Sequence, residues 1–426
     1  MKKVLVYPCG TEIGLEIERS LRYSTHYLVY GGSSDYDHGR FVFERHVDGL
    51  PFITDRSGPE EIDAFQRAIE EEGFDFIYPA MDGVVTVFSR FRDRLKPTVI
   101  APEEATTAVT RSKKRTYSLL KDTMPTPICY DRAEAVEGFP VFVKPDVGQG
   151  SVGARKICSR VELETVDFEK MVCMEMLPGE EFTVDCFTNG EGELIYARGR
   201  GRKRIKNGIS VNAVFADNPL FQEYARRING ALRQKGGWFY QVKAAEDGTL
   251  KLLEVASRIA GTSAISRCAG VNLPLLTVNV FAGMSIDDVV QNDYEIELDR
   301  ALENVYRVRI HYETVYLDYD DTLVERGRVN TRMMQFLYQC VNGGKKLVLL
   351  SKHDGDLEAE LRQYRMLGVF DEIVHLSREA QKSDYVTEKQ AIFIDDSYGE
   401  RRAVAQRCGI PVFDTHMIEC LLEGEV

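Results

Sequence analysis

A short apolar segment, VYLDYDDTLV (residues 315–324), carries the aspartates Asp318, Asp320 and Asp321. Burying carboxylates together costs free energy unless a cation or a reaction requires them there. Further along the chain, a hydroxyl, an ammonium group and two more carboxylates lie at or near the ends of apolar runs: Ser351, Lys382, Asp395 and Asp396. Strand ends in a parallel sheet meet at one edge, so we expect these groups to converge.

The converging groups suit hydrolysis of a phosphate ester through a covalent intermediate. Asp318 would attack phosphorus and form an aspartyl phosphate. Asp320 would protonate the leaving oxygen and later activate water. Ser351 and Lys382 would bind the phosphoryl oxygens. The predicted ligands of a Mg²⁺ (or Mn²⁺) ion, which would screen the phosphate charge, are Asp318, Asp320 through its carbonyl, Asp395 and Asp396.

The spacing between these groups predicts an open site. Neither 323–350 nor 352–381 is long enough for a cap domain in addition to the secondary structure that the core needs. His311 and His353 flank the segments that carry the site. We interpret both histidines as ordinary polar residues.

A second group of candidate residues lies in the middle of the chain. The segment FVKPDVGQGSVG (142–153) places Gly148, Gly150 and Gly153 after a strand that ends near Lys144. Glycines allow backbone N–H groups to approach phosphate oxygens closely, and lysine adds a positive charge. The segment lacks GK[ST], so it is not a Walker loop. A simple glycine-rich loop is the alternative.

Two acidic residues and a hairpin follow this loop. Glu175 ends an apolar strand and Glu181 comes six residues later, where carboxylates could meet an adenine amino group and ribose hydroxyls. A symmetric turn at Asp247-Gly248 would place Gln241 directly opposite Glu254. Two such oxygen ligands suit Mg²⁺ that carries substrate phosphates. The alternatives are a surface strand end and an exposed polar pair.

A basic segment, ARGRGRKRIKNG (197–208), stands out in a chain of net charge −13. Its functional interpretation is an anion site for a phosphate or a carboxylate. The alternative is a solvated strand face.

Composition restricts the classes of protein to consider. At 426 residues, 44% hydrophobic and 28% charged, the sequence is typical of a soluble multidomain protein. No apolar run approaches the roughly 20 residues that cross a bilayer, so we expect no membrane association. The acidic balance opposes nucleic-acid binding. Nine scattered cysteines, with no CxxC pair and no histidine at metal spacing, predict reduced thiols in a cytoplasmic protein and no zinc site.

The elements that position these residues fall into three segments. Residues 1–105 and 311–426 alternate apolar strands with helical segments, which predicts α/β domains with parallel sheets. Residues 106–310 contain hairpin signals with helices between them, which predicts an α+β domain. The expected fold class is therefore multidomain α/β and α+β.

Two families are similar to these segments. The ordered motifs SKKRTYSLLKDTMPTP, FVKPDVGQGSVG, EMLPGEEFTVD and LLEVASRIAGTSAISRCAGVNLP resemble the ATP-grasp superfamily, in its carbamoyl-phosphate-synthase-like branch, over residues 1–310. In that family 1–105 would be the preceding α/β domain. The DxDxT, serine, lysine and DD motifs of 311–426 resemble the haloacid-dehalogenase-like (HAD) phosphatases, with a Rossmann-like parallel sheet.

The ATP-grasp resemblance assigns roles to individual residues. Lys113 and Lys144 would contact ATP phosphates, and the loop 146–153 would close over them. Arg258 would face the reacting acyl phosphate, and Gln241 and Glu254 would bind Mg²⁺. The remaining nucleotide contacts that the resemblance implies are Gly148, Gly150, Ser151, Glu175 at the adenine, Leu177, Glu181 at the ribose, Arg202 and Arg204.

One position departs from the ATP-grasp pattern. Relatives usually read E-x-N-P-R, whereas this chain has Ala256 at the asparagine position between Glu254 and Arg258. A methyl group cannot coordinate a cation, so a second Mg²⁺ would be held by Glu254 and phosphates alone, by Ser257, or not at all.

The resemblances predict a bifunctional enzyme. It would couple a small carboxylate to an amine through an acyl phosphate, with ADP as product, and would also hydrolyse a small phosphate ester. A phosphatase that keeps only a degenerate nucleotide-binding module is one alternative, and a non-enzymatic nucleotide-sensing scaffold is another. The sequence is compatible with a homodimer.

Overall fold

The computed structural model describes residues 1–422 except 149, 151, 207–208, 293, 302–303 and 307. The side chains of 202, 203, 205, 206, 209 and 210 also lie outside this description. The chain divides into two compact units, residues 1–302 and 303–426. The domain boundary expected at 310/311 stays a prediction. The division of the first unit at 105/106 stays a prediction.

The first unit begins with a parallel sheet of strand order β3-β2-β1-β4-β5. Its elements are β1 (Lys2–Tyr7), α1 (Glu12–Leu21), β2 (Tyr27–Gly32), α2 (Gly39–Val42), β3 (Arg45–Val47), α3 (Pro59–Ile69), β4 (Phe76–Pro79), α4 (Asp82–Arg90), β5 (Thr98–Val99) and α5 (Glu104–Arg111). The hydroxyl of Thr11 caps α1 by accepting a hydrogen bond from the Gly14 amide at 3.0 Å. The helix then buries Ile13, Ile17 and Leu21, which lie on one face because they are four residues apart.

An antiparallel sheet of order β6-β9-β7-β8 follows. It is built from α6 (Lys113–Leu120), β6 (Cys129–Tyr130), β7 (Val141–Pro145), β8 (Arg155–Ile157), α7 (Arg160–Leu163) and β9 (Met171–Glu175). The glycine-rich loop connects β7 to β8.

A larger antiparallel sheet has the order β14-β13-β10-β11-β12-β15. Its elements are β10 (Glu181–Thr188), β11 (Leu194–Lys206), β12 (Ile209–Ala216), α8 (Pro219–Leu232), β13 (Gly236–Ala244), β14 (Leu250–Ala256), α9 (Ala264–Cys268), α10 (Leu273–Phe281) and β15 (Glu297–Asp299). One face packs on α8, where Trp238 and Tyr240 are fully buried beside Phe221. The α+β arrangement agrees with the expected fold class.

The hairpin of β13 and β14 has an irregular register. Gln241 pairs with Glu254 as predicted, but Val242 pairs with Leu252, so Leu253 forms a bulge between the two pairs. The turn itself is shifted by one residue, because Ala244 pairs with Leu250. The prediction of a symmetric turn was therefore wrong. The bulge compensates for the one-residue shift, so that Gln241 still pairs with Glu254.

The second unit contains a parallel sheet of order β20-β19-β16-β21-β22. Its elements are β16 (Thr314–Leu317), β17 (Val324–Glu325), β18 (Arg328–Val329), α11 (Thr331–Asn342), β19 (Lys346–Ser351), α12 (Leu357–Gln363), β20 (Glu372–His375), β21 (Ala391–Ile394), α13 (Tyr398–Cys408) and β22 (Val412–Phe413). The segment 323–350 forms a short hairpin, α11 and β19, and 352–381 contains α12 and β20. Neither segment holds a domain-sized insertion within the described residues.

None of the described helices in either unit combines the length and the apolar composition that crossing a membrane requires.

Candidate active sites

A cavity of about 180 Å³ in the first unit is lined by residues of both antiparallel sheets. The predicted nucleotide-site residues among its lining are Lys113, Lys144, Gly148, Gly150, Leu177, Glu181, Gln241 and Glu254. Met174, Leu177 and Phe142 contribute apolar surface. Two adjoining cavities share Gly150 and Glu254 with it. The fold thus brings together polar groups that are separated by more than 100 residues in the sequence.

Asp146 fixes the glycine-rich loop against the start of α6. Its carboxylate accepts hydrogen bonds from the Ser112 hydroxyl at 2.9 Å and from the Lys114 amide at 2.8 Å. The Lys113 ammonium donates to the Gly148 carbonyl at 3.3 Å. Lys113 is therefore held directly beneath the loop that would cover phosphates. Ser151, predicted in the same loop, lies outside the described residues.

Lys144 is half-buried and turned toward the bulge. Its ammonium donates to the Leu253 carbonyl at 3.0 Å and lies 5.5 Å from the centre of the Tyr117 ring. Burial, together with the nearby charge of Lys113, lowers the pKa of Lys144 to about 8. Lys144 also lines the cavity, so an anion bound there would meet its charge.

Glu254 occupies the wall shared by the three cavities. Within the described part of the chain, its carboxylate accepts no hydrogen bond and forms no ion pair. Gln241, directly opposite in the ladder, donates its amide N–H to the Thr183 hydroxyl at 3.2 Å. This leaves the Gln241 oxygen and the Glu254 carboxylate available to a cation.

The two glutamates predicted at the base and the sugar have different surroundings. Glu175 does not line the cavity, because its carboxylate accepts from the Ile128 amide and from Lys251, both at 2.6 Å. Glu181 does line it, 3.8 Å from the Lys243 ammonium. The carboxylate of Glu175 therefore stabilises the chain around β6, whereas Glu181 faces the cavity.

Arg258 forms a two-pronged ion pair with Asp82, which begins α4. The two hydrogen bonds measure 2.8 and 2.6 Å. Burial opposes ionisation of Asp82, but the Arg258 guanidinium outweighs it and lowers the Asp82 pKa. Both side chains are mostly buried, and Arg258 lines two of the cavities. No local sequence pattern indicates this partner, which lies 176 residues away.

Two arginines of the basic segment 197–208 pair with carboxylates of the protein. Arg200 is buried and pairs with Asp185 through two hydrogen bonds of 2.9 Å, and it also donates to Thr262. Arg204 pairs with Asp299 at 2.6 Å. The side chain of Arg202 lies outside the description. The phosphate contact predicted at Arg204 stays a prediction, and in the structure this guanidinium pairs with an exposed carboxylate.

Ala256 lies in apolar surroundings. Its methyl group packs with Phe239 and Ala260 in a small buried cluster. The neighbouring Ser257 hydroxyl lies 3.1 Å from that of Thr110. The position at which a second metal ligand was considered is therefore apolar.

The second unit brings the strand-end carboxylates together as predicted. Asp318 follows β16 and Asp395 follows β21, which is its parallel neighbour. The buried Lys382 ammonium lies 2.6 Å from a carboxylate oxygen of each. Carboxylate oxygens of Asp318, Asp395 and Asp396 lie within 4.8 Å of one another. These distances fit a site for one divalent cation.

Burial governs the ionisation of this cluster. Burial raises the pKa of Asp318 to about 7. The positive charge of Lys382 acts to lower this pKa, and the negative charge of Asp395 acts to raise it. Burial also raises the pKa values of Asp395 and Asp396. Burial works against the charge on Lys382, but the two carboxylates outweigh it and raise the Lys382 pKa.

The other predicted groups lie at the same sheet edge. Ser351 ends β19, and its buried hydroxyl accepts a hydrogen bond from the His353 amide at 3.1 Å. Thr322 accepts from the Asp396 amide at 3.2 Å and so connects the β16 loop to the β21 loop.

His353 is not the ordinary polar residue that the sequence suggested. Its Nδ1 lies 3.0 and 3.1 Å from the two carboxylate oxygens of Asp320, and its Nε2 lies 3.2 Å from Glu360. Burial opposes protonation of His353, but the two carboxylates outweigh it and raise its pKa. Its position two residues after Ser351 was the only sequence signal of this contact.

Comparison with known proteins identifies the fold of the first unit. Residues 167–303 match a family described as ATP-grasp in the biosynthetic pathway with Ter operon. No curated protein sequence matches the chain.

Solved structures extend this similarity to about two thirds of the chain. Pyruvate carboxylase from Rhizobium etli is 17% identical with a TM-score of 0.55, over 67% of this chain and 29% of its own. The biotin carboxylase domain of Hydrogenobacter thermophilus 2-oxoglutarate carboxylase, bound to MgADP, ADP and bicarbonate, is 15% identical with a TM-score of 0.55, over 67% and 70%. N5-carboxyaminoimidazole ribonucleotide synthetase from Thermotoga maritima is 16% identical with a TM-score of 0.53, over 68% and 78%. The chain contains an ATP-grasp fold.

Proposed function

From an ATP-grasp fold followed by a unit with clustered carboxylates, we propose that the chain is a bifunctional enzyme. Its first unit is an ATP-dependent ligase that joins a small carboxylate to an amine. Its second unit is a HAD-type phosphomonoesterase that acts on a small phosphate ester. The proposed cofactors are ATP and Mg²⁺.

The ligase reaction has two steps. The substrate carboxylate attacks the γ-phosphorus of ATP, so that an acyl phosphate forms and ADP leaves. The amine then attacks the acyl carbon, phosphate leaves, and an amide forms. The protein must neutralise charge at the transferring phosphoryl group and keep water out. Lys113 and Lys144 supply charge, and the loop around Gly148 and Gly150 covers the phosphates.

The residues around Glu254 fit a magnesium ion bound with the nucleotide. A carboxylate that has no partner in the part of the chain that the structure describes lies opposite Gln241 in the hairpin ladder. Hard cations prefer oxygen ligands such as carboxylate and amide oxygens. Bound Mg²⁺ would neutralise phosphate charge and orient the β- and γ-phosphates. Gln241 and Glu254 would hold it, while Arg258, oriented by Asp82, would face the acyl phosphate.

The Glu254 carboxylate on the shared cavity wall, which has no hydrogen bond or ion pair within the described residues, is the observation that carries the ligase proposal. The test is an ADP-release screen across carboxylates and amines with the Asp318→Asn protein, which removes the phosphatase background. ADP formation that requires both an acid and an amine supports the proposal. ADP release that no acid–amine pair stimulates would overturn it.

The phosphatase reaction also has two steps. An Asp318 oxygen attacks phosphorus, and the alcohol leaves with a proton from Asp320. Water then attacks the aspartyl phosphate and gives its proton to Asp320, so that phosphate leaves and Asp318 is regenerated. His353 holds the Asp320 carboxylate during both proton transfers. Lys382 and the Ser351 hydroxyl bind phosphoryl oxygens.

The same edge of the sheet fits a magnesium ion. Asp318, Asp395 and Asp396 offer oxygens within 4.8 Å of one another. The single positive charge of Lys382 cannot neutralise three ionised carboxylates. Such a cluster is therefore not explained by its contribution to stability. Bound Mg²⁺ would screen the phosphate from the nucleophile.

The Lys382 ammonium between Asp318 and Asp395 is the observation that carries the phosphatase proposal. Hydrolysis of p-nitrophenyl phosphate with Mg²⁺ tests it. Activity in the wild-type protein that Asp318→Asn removes and Asp384→Asn retains supports the assignment, since Asp384 pairs with Arg407 at the surface. Equal rates in all three proteins would overturn it.

A phosphatase with a nucleotide-binding module that does not catalyse is the second candidate. The apolar packing of Ala256 favours it, because a second metal ion would lack a protein ligand there. This protein would bind ATP or ADP but form no ADP with any acid–amine pair. A nucleotide-sensing scaffold would in addition lack Mg²⁺-dependent phosphatase activity.

A further inference from the structure

A cluster of polar side chains lies in the first unit, separate from the residues assigned to the nucleotide. The Cys9 thiol sulfur lies 3.3 Å from Nε2 of His46 and 3.9 Å from Oδ1 of Asp37. These three ligand-type atoms lie within 4.8 Å of one another. Their residue numbers are too far apart for the spacing rules by which zinc sites are found in sequences.

The parallel sheet explains why these residues meet. Cys9 lies two residues after β1, Asp37 lies in the loop after β2, and His46 lies in β3, and these three strands are neighbours in the order β3-β2-β1. Loops after neighbouring parallel strands emerge at the same edge. The Asp37 carboxylate is fixed there, because it accepts hydrogen bonds from the Gly39 amide at 2.9 Å and the Ser33 hydroxyl at 2.8 Å.

Glycines surround the cluster at close range. A β-carbon at Gly39 would collide with the Cys9 sulfur, and one at Gly10 would collide with the Asp37 carboxylate. A β-carbon at Gly31 would lie 3.0 Å from the same sulfur. Backbone therefore packs directly around the sulfur and the carboxylate and holds both in place.

We propose that Cys9, Asp37 and His46 bind one borderline-soft divalent cation such as Zn²⁺. Thiolate, imidazole and carboxylate are the three ligand types that Zn²⁺ takes in proteins. Tetrahedral Zn²⁺ with ordinary bond lengths separates sulfur from nitrogen by about 3.5 Å, close to the distance between Cys9 and His46. Binding releases the thiol proton of Cys9 to solvent. The Ser33 hydroxyl or a water molecule is left for the fourth position.

The surroundings of His46 agree with a ligand role. Its Nδ1 lies 2.8 Å from Oδ1 of Asp48, while Oδ2 of Asp48 lies 2.7 Å from Arg40. The short distance places the Asp48 charge beside Nδ1, although Nδ1 forms no hydrogen bond within the described residues. A carboxylate at that nitrogen favours the tautomer with its proton on Nδ1, which leaves the Nε2 lone pair for a metal. Asp48 is therefore a positioning residue for the proposed ligand.

The competing explanation is a polar network that needs no metal. The Ser33 hydroxyl lies within 3.3 Å of both Cys9 and His46, so it could connect the cluster by hydrogen bonds alone. The two explanations differ in metal content and in whether a thiolate–metal bond forms.

The experiment uses the full chain, stripped of metal with a chelator and then titrated with Co²⁺ in excess Mg²⁺, which occupies oxygen-rich sites. Thiolate-to-Co²⁺ charge-transfer absorption at one equivalent is expected in the wild-type protein. Cys9→Ser should lose it, and the matched variant Cys186→Ser, which alters another buried thiol, should keep it. Asp48→Asn should weaken binding about 10- to 100-fold.

Absence of this absorption in the wild-type protein, or its retention in Cys9→Ser, would overturn the proposal. If Cys9→Ser does not fold, His46→Gln decides the question, because His46 is not fully buried and its replacement should be tolerated. Co²⁺ affinity at least tenfold weaker in folded His46→Gln supports the site, and unchanged affinity rejects it. These readouts do not depend on ligase or phosphatase activity.

Discussion

The ammonium group of Lys144 donates a 3.0 Å hydrogen bond to the main-chain carbonyl of Leu253. Leu253 is the bulged residue of the β13–β14 hairpin, so its carbonyl is not used by the ladder. The same carbonyl accepts a 2.7 Å hydrogen bond from the Tyr117 hydroxyl. The bulge thus both places Glu254 opposite Gln241 and orients the lysine that lines the cavity of the first unit.

The pKa of Lys144 predicts how nucleotide affinity depends on pH. Burial lowers this pKa from 10.5 to about 8, so the free protein loses the positive charge as the pH rises through 8. We expect ATP affinity, measured by calorimetry, to fall between pH 7 and pH 9. Lys144→Met should bind ATP weakly at both pH values and show a flatter profile.

The contribution of Lys144 to protein stability should change in the opposite direction above about pH 8. The unfolded chain binds the Lys144 proton more tightly than the folded chain, so this group makes folding more favourable as the pH rises from about 8 to 10.5. A fall in ATP affinity accompanied by a fall in melting temperature would indicate partial unfolding instead of loss of the Lys144 charge.

Replacement of Glu254 tests the proposed metal ligand in the ligase. Glu254→Gln removes the charge at nearly constant size and should lower ADP formation by about 100-fold or more, because the phosphoryl charge is less well neutralised. Glu246→Gln, in the exposed turn of the same hairpin, is the matched control and should be unchanged. Rates of ADP release at saturating Mg²⁺ measure both. Equal losses in the two variants would point to the hairpin fold and not to the ligand.

Replacement of Lys382 tests the carboxylate cluster of the second unit. Lys382→Met leaves Asp318 and Asp395 without their shared ammonium, so the metal-free protein should melt at a lower temperature and lose phosphatase activity. Mg²⁺ should raise the melting temperature of this variant more than that of the wild-type protein. Lys389→Met, an exposed neighbour, should respond to Mg²⁺ like the wild-type protein. An identical Mg²⁺ response in all three would argue against a cation site.

His353→Gln tests the positioning of the general acid. The variant removes the imidazole 3.0 Å from Asp320 and should lower kcat for an alkyl phosphate about tenfold with little change in KM. The defect should be smaller for p-nitrophenyl phosphate, whose leaving group needs no proton. His416→Gln, at an exposed histidine, serves as control. Equal losses with both esters would contradict the role in proton transfer.

The buried pair of Arg200 and Asp185 predicts a large stability effect. Arg200→Met strands a carboxylate that is 1% exposed, which should cost about 3–5 kcal/mol of unfolding free energy. Arg204→Gln on the same strand breaks a pair in which both side chains are more than half exposed and should change stability little. Denaturant unfolding of the two variants compares them. Similar destabilisation by both variants would mean that the loss of unfolding free energy comes from disruption of strand β11 and not from the buried, unpaired carboxylate.

Much of the fold and part of each site follow from local sequence patterns. Apolar runs ending in Asp318 and Asp395 predict neighbouring parallel strands, and the carboxyl ends of such strands share an edge whatever the rest of the protein does. The glycines around Lys144 likewise predict a loop, because few other residues adopt its backbone conformations. These inferences need only chain periodicity and the conformational preferences of single residues.

Several ion pairs could not be predicted from the sequence, because each depends on which distant side chain packs against the charged residue in the folded protein. The Arg258 partner is Asp82, 176 residues away, and Arg200 of the basic segment is neutralised by Asp185 instead of awaiting an anion. The sequence around a charged residue does not show whether its side chain faces solvent, a ligand or a buried counter-ion. Only packing decides which of these it meets, since desolvation forces a buried charge to find a partner.

The sequence by itself determined which chemical groups the chain possesses and which of them lie at the ends of strands. Tertiary structure alone decided that His353 meets Asp320 and that Cys9 meets His46. The physical reason is that strand periodicity is a short-range property of the chain, whereas contacts between loops depend on the order of strands in the sheet. That order is fixed by how the whole core packs.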